Sequence, residues 1–189
     1  MNRIGFMQGR LSKVINGVIQ EFPWESWRDE FMIADEIGIH TMEWTLDQKD
    51  LYLNPLMSKD GQEEILRLID KWSFCIPSLT GDCFMQHPFW KVQGKKQEQL
   101  LLDFKNILQA CGALNIGIIV IPLVDNGSLE NMSQENELIQ ILEEYLPLIK
   151  KMNLRIAFES DFPAEELSRF ISRLELDVFG INYDIGNSA

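Results

Sequence analysis

The sequence predicts an α/β chain built from alternating strand and helix units around a parallel sheet. Three observations carry this reading. Short apolar runs recur roughly every 25–45 residues, each bounded by turn-forming residues. Longer stretches between them place apolar residues at spacings of three and four, the period of one helix face. The run "IGIIVIPLV" at 116–124 is apolar on both faces, as a parallel strand covered on both sides must be.

The elements follow in order. A strand is predicted at 4–7, then a helix at 25–37 whose buried face is Trp27, Phe31, Ala34 and Ile37. Gly38 follows as a left-handed cap. A strand at 41–44 leads to a helix at 61–72 with Ile65, Leu68, Ile69 and Trp72 inward. A strand at 74–79 precedes a helix at 95–111, whose face is Leu100, Leu101, Phe104, Ile107, Leu108 and Cys111, with Gly112 expected as its cap. The strand at 116–123 is followed by a helix at 133–152, started by Ser133. A strand at 155–159 runs into a helix at 164–174 after Pro163, and a last strand spans 178–184. The order βαβαβαβαβαβ, about six strands and five helices, fits an open doubly wound sheet or part of a (β/α)8 barrel. A dinucleotide fold would carry G-x-G-x-x-G after a strand, and neither "GFMQGR" nor "FGINYDIG" supplies it.

Composition narrows the function. With 189 residues, 46% of them hydrophobic, one domain with a sizeable core is expected. The net charge of −12 repels nucleic acid and anionic lipid, and the densest basic cluster, "GKK" at 94–96, reads as a solvated helix start. Three cysteines, Cys75, Cys83 and Cys111, form no C-x-x-C pair, which suggests a reduced, cytoplasmic setting. The N-terminus has no apolar signal segment, and no run approaches the length of a membrane span.

In parallel α/β folds the C-terminal ends of the strands build the site. Here those ends deliver Gln8 and Arg10, then Glu43 and Asp47, then Asp82 and His87, then Asp125 and Asn126, then Glu159 and Asp161, then Asp184 and Asn187. Five successive strands thus bring a carboxylate to one rim. Glu43 and Glu159 are the sharpest, because each directly follows an apolar strand residue, Met42 and Phe158. A carboxylate held there must be paired, protonated or bound to a cation. Oxygen ligands from several strands suit a hard or borderline divalent cation: Mg²⁺, Mn²⁺, Co²⁺ or Zn²⁺. Trp24, Phe84, Phe89 and Trp90 are read mainly as packing residues that could also line a pocket for a sugar face.

The blocks "IGFMQGRLS", "IQEFPWESWRDEFMIADEIGIHTMEW", "NPL", "DCFM" and "NYDIGNSA" resemble the sugar phosphate isomerase/epimerase proteins of the xylose-isomerase-like TIM-barrel superfamily. The resemblance implies a (β/α)8 barrel, incomplete in this chain, in which Glu159 and Asp184 are metal ligands and Glu159 is also the catalytic acid/base. The family's two further ligands have no counterpart before Ala189. The implied reaction on a sugar or sugar phosphate passes through an enediolate, with Glu43, Asp82 or His87 orienting substrate hydroxyls. Gln8, Arg10, Asp125 and Asn187 complete the expected substrate-binding rim. The chain as given is expected to be inactive. The alternatives are a non-catalytic remnant acting as an oligomeric or binding protein, and an endonuclease of the same superfamily, which the −12 charge and only two histidines disfavour. Unpaired first and last strands, bearing Ile4, Phe6, Phe179 and Ile181, predict a homodimer.

Overall fold

The computed structural model describes residues 4–13 and 21–186. Six strands lie in the order β1 to β6: Phe6–Met7, Thr41–Thr45, Cys75–Thr80, Ile118–Leu123, Arg155–Ser160 and Phe179–Ile181. Every neighbouring pair is parallel. Six α-helices connect them: α1 Asp29–Glu36, α2 Lys59–Trp72, α3 Asp82–Gln86, α4 Lys95–Ala113, α5 Met132–Lys151 and α6 Ala164–Ile171. Sheet order that follows chain order decides between the two architectures left open by periodicity. Right-handed crossovers between consecutive neighbours put every helix on the same face of the sheet, so the sheet curls toward a barrel. A doubly wound sheet would reverse its strand order partway. This chain is an incomplete (β/α)8 barrel.

The core fills the space between sheet and helices. Met42 and Trp44 of β2, Ile119 and Ile121 of β4, and Ile156 and Phe158 of β5 are all fully buried. They meet Phe31, Ile65, Phe104, Leu138, Leu142 and Phe170 from the helices. Phe158 packs edge-on against Phe170, with ring centroids 5.1 Å apart, and stacks on Phe179 at 6.3 Å. Burying each such side chain is worth roughly 1.5–3 kcal/mol. Phe84, Phe89 and Trp90 are core residues too, clustered with Phe104, while Trp24 rests on Phe22.

The structure corrects several element ends, each for a local reason. Helix α1 starts at Asp29 because Pro23 O accepts from Ser26 N and Trp27 N, which closes a turn ahead of it. Gly112 is inside α4 and is no cap. A Cβ there would stand 2.8 Å from Met152 Sδ, so this glycine permits close approach of the α5 C-terminus. Asn131, and not Ser133, caps α5, its side chain accepting from Ser133 N and Gln134 N. Helix α2 begins two residues early, capped by Ser58. Helix α6 ends at Ile171, and β6 pairs only as far as Ile181. Gly38 does adopt positive φ, 75°, after α1. No helix among the described residues is long and apolar enough to cross a membrane.

Candidate active site

Strand alternation builds the inner face. Because β2 sends Met42 and Trp44 outward into the core, Glu43 and Thr45 point to the lumen. Because β5 sends Ile156 and Phe158 outward, Glu159 also points in. Each carboxylate has a named polar partner. Ser78 Oγ on β3 donates to Glu43 Oε2 at 2.6 Å. Asn182, just past β6, donates its amide Nδ2 to Glu159 Oε2 at 3.2 Å, while its backbone N–H donates to Phe158 O. The lumen between them is floored by small residues in register: Thr80, Val120, Ala157 and Gly180.

The electrostatics tie the two acids together. Burial pushes the Glu43 carboxyl pKa up, the Ser78 hydroxyl pulls it back in part, and the charge of Glu159 pushes it up further. Glu43 is therefore desolvated within the field of Glu159, three strands away round the sheet.

The other rim residues fall into distinct environments. Gln8 is buried; its Oε1 accepts from Thr45 N and its backbone O accepts from Thr45 Oγ1, so its side chain extends the short β1 alongside β2. Gln8 Nε2 has no hydrogen-bond partner among the described residues. Arg10 is exposed on a bend held from below by Glu30, whose buried carboxylate accepts from Gly9 N and Leu11 N. Asp47 is committed to Phe22 N and Gln86 Nε2, a loop-fixing role. Asp82 is buried in the first turn of α3. His87 is exposed beside a cavity of about 150 Å³ that it shares with Lys91, Lys96 and Asn126. Asp125 is exposed at φ 49° after β4, and Asp161 accepts from Ser128 Oγ. Asp184 is half-buried and accepts from Gly186 N. Asn187 lies outside the described residues. The rim thus brings Glu43 and Glu159 together with Ser78 and Asn182, two residues that sequence reasoning missed. Asn182 was readable in principle, since it alternates with Gly180 and Asp184 on one face.

The donor chemistry of Glu159, near the end of β5, and Asp184, just after β6, two carboxylates, suits a divalent cation. Among the described residues no three His, Cys, Asp or Glu side chains converge.

A partial β/α barrel with paired acids at the C-terminal mouth of its lumen defines the class of protein. The sequence profile described as Xylose isomerase-like TIM barrel matches residues 31–189, and the chain belongs to that family. Solved structures share the fold. A xylose isomerase domain protein from Planctomyces limnophilus superposes with a TM-score of 0.68 at 12% identity, covering 97% of this chain and 63% of its own. A sugar phosphate isomerase/epimerase from Parabacteroides distasonis gives 0.61 at 12% identity, covering 86% and 62%. The IolI protein with a bound zinc atom gives 0.62 at 12% identity, covering 94% and 62%. The chain therefore spans just over three-fifths of the length of these structures. A search of curated proteins found no significant match.

Proposed function

We propose that this chain carries the larger part of a metal-assisted isomerase or epimerase site for a sugar or sugar phosphate. The observation that supports the reading best is the lumenal acid pair, Glu43 within the field of Glu159, above a floor of small side chains. Glu159 removes the proton from the carbon beside a ketose carbonyl, giving an enediolate. Returning that proton to the same carbon's other face yields an epimer, and returning it to the neighbouring carbon yields an isomer. The Asn182 amide orients the Glu159 carboxylate for this transfer. Glu43, held by Ser78, and the rim residues Gln8, Arg10, Asp82, His87, Asp125 and Asn187 take substrate hydroxyls or phosphate. Glu159 and Asp184 would hold the divalent cation, which supplies Lewis-acid polarisation of the carbonyl when bound. With two such donors, the isolated chain holds a cation weakly and turns over little.

The test has two readings. Saturation-transfer NMR with a panel of ketohexoses and their phosphates should show binding that Glu43→Gln and Glu159→Gln each weaken. Calorimetric titration with Mn²⁺ or Co²⁺ should show affinity weaker than micromolar. Absence of binding to any member of the panel refutes the substrate class. Micromolar metal binding together with turnover refutes the expected inactivity.

A further inference from the structure

A cavity of about 460 Å³ lies between the loop after β3 and the start of α5. Trp90, Lys91 and Gln93 line it from the loop, and Asn131, Ser133 and Glu137 from the helix. It shares no residue with the acid pair, Ser78 or Asn182. Its walls belong to the third and fourth strand–helix units, and β3 and β4 are interior strands with a neighbour on each side. The cavity is therefore built by units that the chain contains whole. The local sequence explains its shape. Pro88 leads into a single 3₁₀ turn, Phe89–Lys91, in which Phe89 packs on Phe84 and Phe104. Trp90 stands edge-on to Phe89, with ring centroids 5.0 Å apart, and is 3% exposed. Its indole Nε1–H is buried and has no hydrogen-bond partner among the described residues. A donor buried unpaired is costly, and a ring held by packing cannot turn to find an acceptor elsewhere.

The rest of the lining restricts what can serve as that acceptor. Lys91 Nζ donates to Glu130 Oε1 at 2.7 Å, and Glu137 Oε1 accepts from Gln97 Nε2 at 2.6 Å. The lining thus holds one cation and one anion, each already partnered, and has no net charge. The first N–H groups of α5 are not an anion cradle either, because the Asn131 side chain accepts from Ser133 N and Gln134 N. What faces a ligand is the Trp90 N–H, with the exposed Gln93 amide and Ser133 hydroxyl. Uncharged groups that both donate and accept match hydroxyls, which do the same. The volume falls within the range of about 300–1,000 Å³ found for small-molecule sites. We propose that this cavity binds an uncharged sugar unit, with the Trp90 N–H donating to a hydroxyl or ring oxygen and Gln93 and Ser133 meeting the neighbouring hydroxyls.

The experiment is a heteronuclear NMR titration of the 189-residue chain with the methyl glycosides of glucose, mannose and galactose. These probes lack the free carbonyl that the lumenal chemistry needs, so the outcome is independent of that reading. The indole N–H signals of the five tryptophans stand apart from the backbone amides, and that of Trp90 reports directly on the cavity. The expected result is a saturable shift of the Trp90 indole signal with at least one glycoside. Trp90→Phe, which keeps an aromatic ring and removes the N–H, should weaken binding about tenfold, the loss of one hydrogen bond. The double variant Gln93→Ala/Ser133→Ala changes only exposed side chains, so it folds as wild type and should weaken binding by a similar factor. A Trp90 indole signal that none of the three glycosides moves overturns the proposal. So does affinity unchanged in the double variant, or binding abolished by Glu43→Gln, which would place the sugar in the lumen.

Discussion

The junction of α5 and α6 is held by one buried acid, and its removal gives a worked test of how the partial barrel is fastened. Glu135, whose side chain is 3% exposed, accepts from Arg169 Nη1 and Nη2 at 2.7 and 2.6 Å, and from Arg173 Nη1. Arg173 also donates to Asn136 Oδ1. The pair is neither fully buried nor fully exposed, because the Arg169 and Arg173 side chains are 44% and 33% exposed. Exposed pairs contribute about 0.2–1 kcal/mol, and breaking a buried pair costs about 3–5 kcal/mol. In Glu135→Gln both guanidiniums can turn to water, so no buried charge is stranded and the cost should be about 2–3 kcal/mol, intermediate between the two cases. At about 2–4 °C per kcal/mol for a chain of this size, Tm falls by roughly 4–12 °C. Removing both arginines together should cost more than Glu135→Gln, because it leaves the carboxylate buried without a cation. The pH dependence has a fixed sign. The Arg169 hydrogen bonds, foremost, hold the Glu135 pKa below its ordinary value of 4.5. The stabilisation is therefore present above pH 4.5 and lost as pH falls through the depressed folded-state value. Urea unfolding of wild type and Glu135→Gln at pH 7 and at stepwise lower pH reads this directly. A difference under about 0.5 kcal/mol at pH 7, or a gap that widens on acidification, refutes the reasoning.

Two further outcomes follow from other buried groups. A Cβ at Gly61 would stand 2.2 Å from Pro55 O, a backbone atom that cannot swing aside, so Gly61→Ala should cost about 3 kcal/mol or more in denaturant unfolding. Burial outweighs the hydrogen bonds from Gly9, Ser12 and Leu11 at Glu30 and raises its carboxyl pKa above 4.5. A raised folded-state pKa contributes stability that is full below pH 4.5 and lost as pH rises through the folded value. Glu30→Gln, which stays neutral, should therefore gain on wild type between pH 4.5 and pH 7 in unfolding titrations, and a constant difference would contradict this.

Much of the barrel was readable because its strands are short apolar runs with sharp ends. Glu43 and Glu159 stood out because a carboxylate directly after Met42 or Phe158 conflicts with a buried strand unless the lumen receives it. What stayed hidden depends on contacts between distant segments. Ser78 became the Glu43 partner only through the β2–β3 register, in which Glu43 sits opposite Ser78. Gly112 reads as a cap when only its own helix is considered; its reason is Met152, forty residues on. Helix α3 spans five residues, less than two turns, too short for a 3.6-residue period to show. Phe84, Phe89 and Trp90, read mainly as packing residues, do bury, Phe84 and Phe89 against Phe104 of α4 and Trp90 against Phe89.

Strand order that follows chain order also governs how the molecule is made. Among the described residues, each strand after β1 pairs with the strand synthesised just before it. Loop-closure entropy for every new pairing is that of a single intervening segment. A ribosome-bound chain can therefore lay down its sheet one unit at a time, each unit docking on a template that already exists.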